Sequence, residues 1–238
     1  MSEVTEYIDT MRTKYPFLHF KIRDVVEPTL NENYGTINII HVNHQESNKN
    51  QLIVIPGYSF KSFTSMTNIL LEGSIASEKY NIFIINWGDK IKELSTLVTK
   101  DIEKEEDKYK ANEDFRMKMA NILDKILRSD DMGFIQEGTN ISLLGKSAGG
   151  GVALYIASVN HYVNKLYLCA PATTTNGTLV KDRKDLDIKI SWNKDDNMIP
   201  FEKLNDFIID FNNQHNRYTQ YTYESGGHEL NPLFVKEL

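Results

Sequence analysis

The sequence predicts an α/β protein in which a mostly parallel central sheet carries helices on both faces. Three observations predict it. Apolar runs of strand length alternate with segments of helical spacing along most of the 238 residues, the rhythm of right-handed β-α-β units. YNIFIINW (80–87) is apolar almost without a break, as a strand is when both faces of its sheet are covered. No linker, repeat or low-complexity block divides the chain, so a single domain over 1–238 is expected, a length that one α/β domain commonly reaches.

The elements follow in order. FLHFKI (17–22) and TINIIHV (36–42) read as strands separated by a turn-rich stretch ending in NENYG, and they can pair as an antiparallel edge. QLIVI (51–55) stops at Pro56-Gly57, and SFTSMTNILLEGSIASEK (62–79) has helical spacing at Met66, Ile69 and Leu70. After the strand at 80–87 comes a charged excursion, KIKELSTLVTKDIEKEEDKYKA (90–111). Phe115, Met119, Ile122, Leu123, Ile126 and Leu127 then mark one face of an amphipathic helix. NISLL (140–144), KLYLCA (165–170), DIKISW (187–192) and RYTQYTYE (217–224) read as strands. AGGGVALYIASVN (148–160) and PFEKLNDFIIDFNNQH (200–215) read as helices, and the tail after Gly227 as a short one.

Composition excludes several classes. Hydrophobic residues make up 40% and charged residues 25%, ordinary for a soluble globular chain. Lys and Arg total 27 against 33 Asp and Glu, a net charge of −6 with no basic stripe, so no nucleic-acid partner is expected. MSEVTEYIDTMRTKYPF carries early acids and no apolar core of a secretory signal. No stretch approaches the roughly 18 apolar residues of a membrane span. Cys169 stands alone in LYLCAPA and reads as a buried core residue. A cytoplasmic location is expected.

The stretch LLGKSAGGG (143–151) carries the chemistry, in two readings. As a phosphate loop, G-x-x-x-x-G-K-[ST], it requires a glycine five residues before Gly145, where Asn140 stands; Gly138 is two residues too early. As a G-x-S-x-G turn it places Ser147 between a strand and a helix, where a nucleophilic serine is exposed. Gly145 and Gly149 leave room for the sharp bend. The helix start offers free N–H groups, so the Ala148 N–H can stabilise an oxyanion. A small-residue turn that merely packs a helix on a sheet would share these features.

A serine nucleophile needs a base and the base an orienting acid, in the chain order serine, acid, histidine. His228, in SGGHEL after the last strand, fits better than His215 near a polar helix end or His161 directly behind the helix. His19, His41 and His44 precede Ser147. Asp195 and Asp196 both follow the strand DIKISW, at the sheet edge where sites in open α/β sheets collect.

With NKDDNMIP (193–200) added, the chain resembles the α/β-hydrolase superfamily, whose acid turn commonly reads G-x-x-D-x-x-[VI]-P. The resemblance aligns Asp196 with the acid, leaves Asp195 as a solvated neighbour, and puts Asn193 where glycine is frequent, a change that left-handed backbone angles would tolerate. IPGYS (55–59) is similar to the family's His-Gly-x, with Pro56 replacing the His; Tyr58 then supplies the second oxyanion N–H. Four motifs in the right order cover most of the chain from Gln51 onward.

The resemblance implies an α/β-hydrolase fold without a large cap domain, since 172–186 is short and polar. It implies a serine hydrolase acting on a carboxylic ester, or a related acyl bond, of a small or medium-sized substrate. Ser147, Asp196 and His228 would be catalytic, with Tyr58 and Ala148 N–H groups as the oxyanion hole and no metal or organic cofactor. In the excursion, Ile91, Leu94, Leu97 and Val98 are candidates to shield the site's mouth, and DIEKEEDKYK a solvated helical face. The alternatives are a binding protein of the same fold without turnover and a phosphate-loop nucleotide-binding protein.

Overall fold

Alternation along the strands sends neighbouring side chains into two separate cores. Ile53 and Ile55 join one, and Leu52 and Val54 the other. A sheet buried on both faces results, which is why its central strands read as continuous apolar runs. The computed structural model describes residues 2–25, 34–43, 50–72, 75–129, 139–173, 179–213 and 217–238.

Within them the strands are β1 (His19–Asp24), β2 (Asn38–Asn43), β3 (Asn50–Ile55), β4 (Asn81–Asn86), β5 (Asn140–Lys146), β6 (Val163–Cys169), β7 (Asp187–Asn193) and β8 (Tyr218–Tyr223). They form one sheet in the order β1-β2-β4-β3-β5-β6-β7-β8. The β1–β2 and β2–β4 pairs are antiparallel and the others parallel. The expected antiparallel edge is therefore present. From β3 the chain turns to β4 on one side, whereas β5 lies on the other. That reversal opens a crevice at the C-terminal ends of β3 and β5, the place where open α/β sheets bind ligands.

The helices refine the expectations. α1 (Glu3–Lys14) went unread in the sequence, although Val4, Ile8 and Met11 give it a buried stripe and the Ser2 side chain accepts from the Thr5 N–H. The segment expected as one helix over 62–79 forms α2 (Phe60–Leu71) and α3 (Ile75–Lys79), with Gly73 and Ser74 outside the described residues. The charged excursion resolves into α4 (Gly88–Leu97) and the opening turns of α5 (Glu105–Arg128). Glu105, Glu106 and Asp107 complement the N-terminal dipole of α5. α6 (Ala148–Val159), α7 (Glu202–Asn213) and α8 (Pro232–Val235) follow their expected positions. No described helix is long and apolar enough to cross a membrane.

The connection between β6 and β7 forms no cap among its described residues. Arg183 ties it down instead: its Nη1 donates to the Ala157 and Asn160 carbonyls, and its Nη2 to that of Val163. Nε and Nη2 also reach the Asp185 carboxylate. Residues 174–178 lie outside the described residues.

On the antiparallel side His41 pairs with Phe83 across the strands and stacks on it at 4.4 Å between ring centroids. Burial, reinforced by the charges of Arg23 and Lys21, lowers its pKa from 6.5 to about 4. The unfolded chain takes up this proton near pH 6.5 and the folded chain only near 4. Stability present above the higher value is thus lost as pH falls between them. The urea midpoint is expected to decline below about pH 6.5, where ordinary carboxylates are still ionised, and His41→Gln is expected to flatten that decline. Equal slopes in both proteins would show that His41 is not its source.

Candidate active site

β5 ends at Lys146 and α6 begins at Ala148, so one residue makes the whole turn. Ser147 has φ 55° and ψ −127°, one of two non-glycine residues with positive φ among the described residues. Such a conformation costs roughly 1–3 kcal/mol and persists only where the surroundings enforce it. Hydrogen bonds enforce it here: Ser147 N–H donates to the Cys169 carbonyl at 3.0 Å, and the Ser147 carbonyl accepts from Gly150 at 2.9 Å and Ala172 at 2.8 Å. A Cβ on Gly149 would lie 2.0 Å from the Ile55 carbonyl oxygen, and one on Gly145 2.6 Å from that of Gly149. The glycine spacing is the condition for α6 to pack this close to β3.

Tyr58 follows β3 beside this turn, since a Cβ on the adjacent Gly57 would lie 3.8 Å from Ser147 Cβ. The loop is braced by Gly57 N–H donating to Ser62 Oγ at 3.0 Å and by Trp87 Nε1 donating to the Pro56 carbonyl at 3.0 Å. The N–H groups of Tyr58 and Ala148 have no acceptor among the described residues. The Tyr58 phenol packs edge-on against Trp87 and Phe115, and burial raises its pKa above the usual value.

Asp196 and His228 meet. His228 Nδ1 lies 2.8 Å from Asp196 Oδ2, with side chains 15% and 1% exposed. Asp196 Oδ1 accepts from the Met198 and Ile199 N–H groups, each at 2.9 Å. An ionised carboxylate can only accept, so the tautomer that pairs with it carries its proton on Nδ1 and its lone pair on Nε2. Ser147 Oγ and His228 Nε2 make no hydrogen bond among the described residues. A bond between them is therefore not formed in this conformation, as is common without a substrate.

Two expectations about the acid turn need correction. Asp195 is exposed but not merely solvated: its carboxylate accepts from Gly226 at 3.2 Å and Gly227 at 2.7 Å, bracing the histidine loop. Asn193 does not adopt left-handed angles. Its side chain is what matters, donating from Nδ2 to the Gly227 and Glu229 carbonyls at 2.9 Å and accepting from Asn231 at 3.1 Å. A glycine there would leave those carbonyls without this donor.

Glu229 and Lys146 were not singled out in the sequence, yet they join the pieces. Glu229 Oε2 accepts from Ser65 Oγ of α2 at 2.7 Å and lies 3.4 Å from Lys146 Nζ. One carboxylate thereby links the residue before Ser147, the residue after His228 and the helix behind Tyr58. Lys146, which a phosphate loop would present to a ligand, has a side chain only 4% exposed and is spent on this pair. Cys169 is buried as expected, and burial pushes its thiol up to about 11. His161 is 80% exposed at the opposite end of β6. His44 and His215 lie outside the described residues.

A cavity of about 500 Å³ adjoins this edge; its wall includes Ala172, whose N–H donates to the Ser147 carbonyl. Tyr109 and Arg116 of α5, Thr173, Trp192, Ile199 and Lys203 are among its walls. The expected cover at Ile91, Leu94, Leu97 and Val98 is not what borders it. Ile91 is fully buried in the core, Leu94 and Val98 pack against that core, and Leu97 is exposed. The apolar spacing of α4 serves packing, and it is the supposedly solvated DIEKEEDKYK that contributes Tyr109.

Strand order, a serine at positive φ between β5 and α6, and the crevice at β3 and β5 define a known architecture. This is the α/β-hydrolase fold. A dienelactone hydrolase-like promiscuous phosphotriesterase from metagenomic libraries shares it with a TM-score of 0.63 at 12% identity, over 91% of this chain and 86% of that one. A protein from Thermoplasma acidophilum described as a predicted CIB-like hydrolase is similar at 0.57 and 14% identity, over 92% of each chain. An α/β hydrolase from a Medee basin deep-sea metagenome library gives 0.52 and 15%, over 88% and 83%. No family model matches the sequence, and no curated protein sequence matches it.

The bracing contacts of this α/β-hydrolase-fold edge are open to test. Glu229→Ala, which strands the buried Lys146 charge and removes the Ser65 acceptor, is expected to lower stability by about 1–3 kcal/mol. Glu229→Gln keeps the Ser65 bond and should lose less. Urea denaturation measures both; equal losses would show that the Ser65 bond contributes nothing.

Proposed function

We propose that the protein is a serine hydrolase that cleaves a carboxylic ester, or a related acyl bond, through an acyl-enzyme. The observation that carries this reading is the serine held at φ 55° beside two N–H groups that have no acceptor among the described residues. A turn that only packed a helix on a sheet would have no reason to keep that strain at a hydroxyl residue. Ser147 Oγ attacks the acyl carbon while His228 Nε2 takes its proton, and Asp196 stabilises the imidazolium. Tyr58 and Ala148 N–H groups hold the oxyanion. His228 returns the proton to the leaving alcohol, then activates a water that releases the acid. Each proton transfer is supplied by these side chains, so the scheme calls for no metal or organic cofactor.

The unformed Ser147–His228 hydrogen bond favours a second reading, a binding protein of this fold without turnover. A fluorophosphonate separates the two. Labelling is expected once, at Ser147, and Ser147→Ala is expected to abolish labelling and ester hydrolysis together; folded wild-type protein that stays unlabelled would favour the binding role. Asp196→Asn is expected to lower kcat by about 10⁴, the scale of losing an orienting acid, and His228→Ala to be nearly inactive. Asp195→Asn, which keeps one acceptor oxygen for the glycine loop, is expected to cost less than about tenfold. Steady-state kinetics on p-nitrophenyl acetate reads all three, and a reversal of the two aspartates would move the acid to Asp195.

The cavity's walls mix polar and apolar groups and form no long apolar tunnel among the described residues, so burial there does not keep adding about 0.8 kcal/mol per acyl methylene. Across p-nitrophenyl esters below their micellar concentrations, kcat/KM is expected to peak at short or medium acyl chains. A steady rise through lauroyl esters would contradict this.

A further inference from the structure

The geometry points to Arg116 as a carboxylate-binding residue in the cavity beside Ser147, and so to a substrate that carries a free carboxylate near its scissile acyl bond. This inference rests on the hydrolase reading above and narrows its substrate class.

Arg116 lies on α5, buried apart from the face that lines the cavity. Its Nε and Nη2 both donate to a single oxygen, Oε2 of Glu113. The other oxygen of Glu113 accepts from Tyr155 and Thr173 hydroxyls at 2.6 and 2.9 Å. Burial raises the Glu113 carboxyl, but the Arg116 charge and these hydrogen bonds outweigh it and hold the group below its ordinary range. The glutamate is thus ionised and fully occupied.

A guanidinium has five N–H donors. Glu113 engages the Nε–Nη2 edge and leaves the Nη1–Nη2 end, which has no acceptor among the described residues. That end is the fork that binds a carboxylate through two parallel hydrogen bonds. Arg183 shows what a purely structural arginine does in this protein, since its Nε, Nη1 and Nη2 are all spent on carbonyls and on Asp185. The cavity's other charges, Lys203 and Asp206, pair with each other at 3.5 Å and are largely exposed. Arg116 is therefore the charge of the cavity with little water to screen it.

Position fits the chemistry. A Cβ on Gly151 would touch Arg116 Cδ at 2.7 Å, so the guanidinium stem crosses α6 one turn beyond Ser147. Four residues of helix rise about 6 Å, so the stem crosses about one turn of α6 from Ser147, on the order of the length of a succinyl or glutaryl chain. A carboxylate held at Arg116 would leave the scissile carbonyl of such an acyl group near Ser147.

Binding of glutarate and of its neutral isostere glutaramide to the wild-type protein, by titration calorimetry at low salt, tests this. Neither probe has a scissile ester, so the result does not depend on hydrolysis; failure of the hydrolase reading would be seen separately, in fluorophosphonate labelling. Glutarate is expected to bind at least about tenfold more tightly, the scale of hydrogen bonds to a charged group, and Arg116→Lys, which keeps a charge beside Glu113 but loses the fork, should remove most of the difference. Equal binding of the two probes, no binding of either, or a preference that survives Arg116→Lys and is lost in Lys203→Gln would overturn the proposal. Mono-p-nitrophenyl glutarate against p-nitrophenyl valerate then tells the carboxylate's place: a higher kcat/KM for the former puts it on the acyl side, and equal values, with glutarate bound through Arg116, put it on the alcohol side.

Discussion

The backbone of Gly149 passes so close to the end of β3 that a Cβ there would lie 2.0 Å from the Ile55 carbonyl oxygen and 2.4 Å from that of Pro56. The rest of the candidate site depends on this approach. It forces the chain to turn from strand to helix within a single residue, and that residue, Ser147, carries the strain as a positive φ. It also sets the start of α6 beside the loop after β3, where a Cβ on Gly57 would lie 3.8 Å from Ser147 Cβ. Backbone donors fixed in this way are the preorganised kind that the proposed oxyanion hole requires.

A second layer of contacts holds the histidine loop to this turn. His228 follows two glycines, Gly226 and Gly227, both at positive φ, and such a loop has little stiffness of its own. Asn193, Asp195 and Glu229 supply it by hydrogen bonds to the loop's backbone and by the link from Glu229 to Lys146 and Ser65. The candidate site residues are thus braced by neighbours one residue away in sequence: Lys146 beside Ser147, Asp195 beside Asp196 and Glu229 beside His228. Strands pointing the same way bring all their ends to one edge, so adjacent residues naturally become a supporting shell.

The cavity's electrostatics follow from the same packing. α5 crosses α6 where Gly151 leaves room for an arginine stem, and Glu113 one helical turn away shares the burial. A buried ion pair of this kind is a weak source of stability, because desolvation offsets the attraction. Among the described residues the Nη1–Nη2 end of the guanidinium has no acceptor, which is the observation behind the proposed recognition role.

Much of this was legible in the residues alone. Apolar runs set the strands, because burial on both faces demands them; G-K-S-A-G marked the turn, because only glycine permits the close approach; and the order of Ser147, Asp196 and His228 followed the resemblance. α1 was equally legible, with its stripe of Val4, Ile8 and Met11, but was read only for a signal peptide. Other features exist only in three dimensions. Strand order, the Asp196–His228 contact across 32 residues and the Lys146–Glu229 link across the sheet edge depend on which ends the fold brings together, and no local pattern encodes that. Asn193 looked like a tolerated replacement for glycine, and its amide proved to grip a loop more than thirty positions away. Arg116 sat unnoticed between Phe115 and Met117 on a helix read for its apolar face. Sequence determined what each residue could do; tertiary structure decided which donors found acceptors among the described residues and which did not, because a hydrogen bond needs both partners in place.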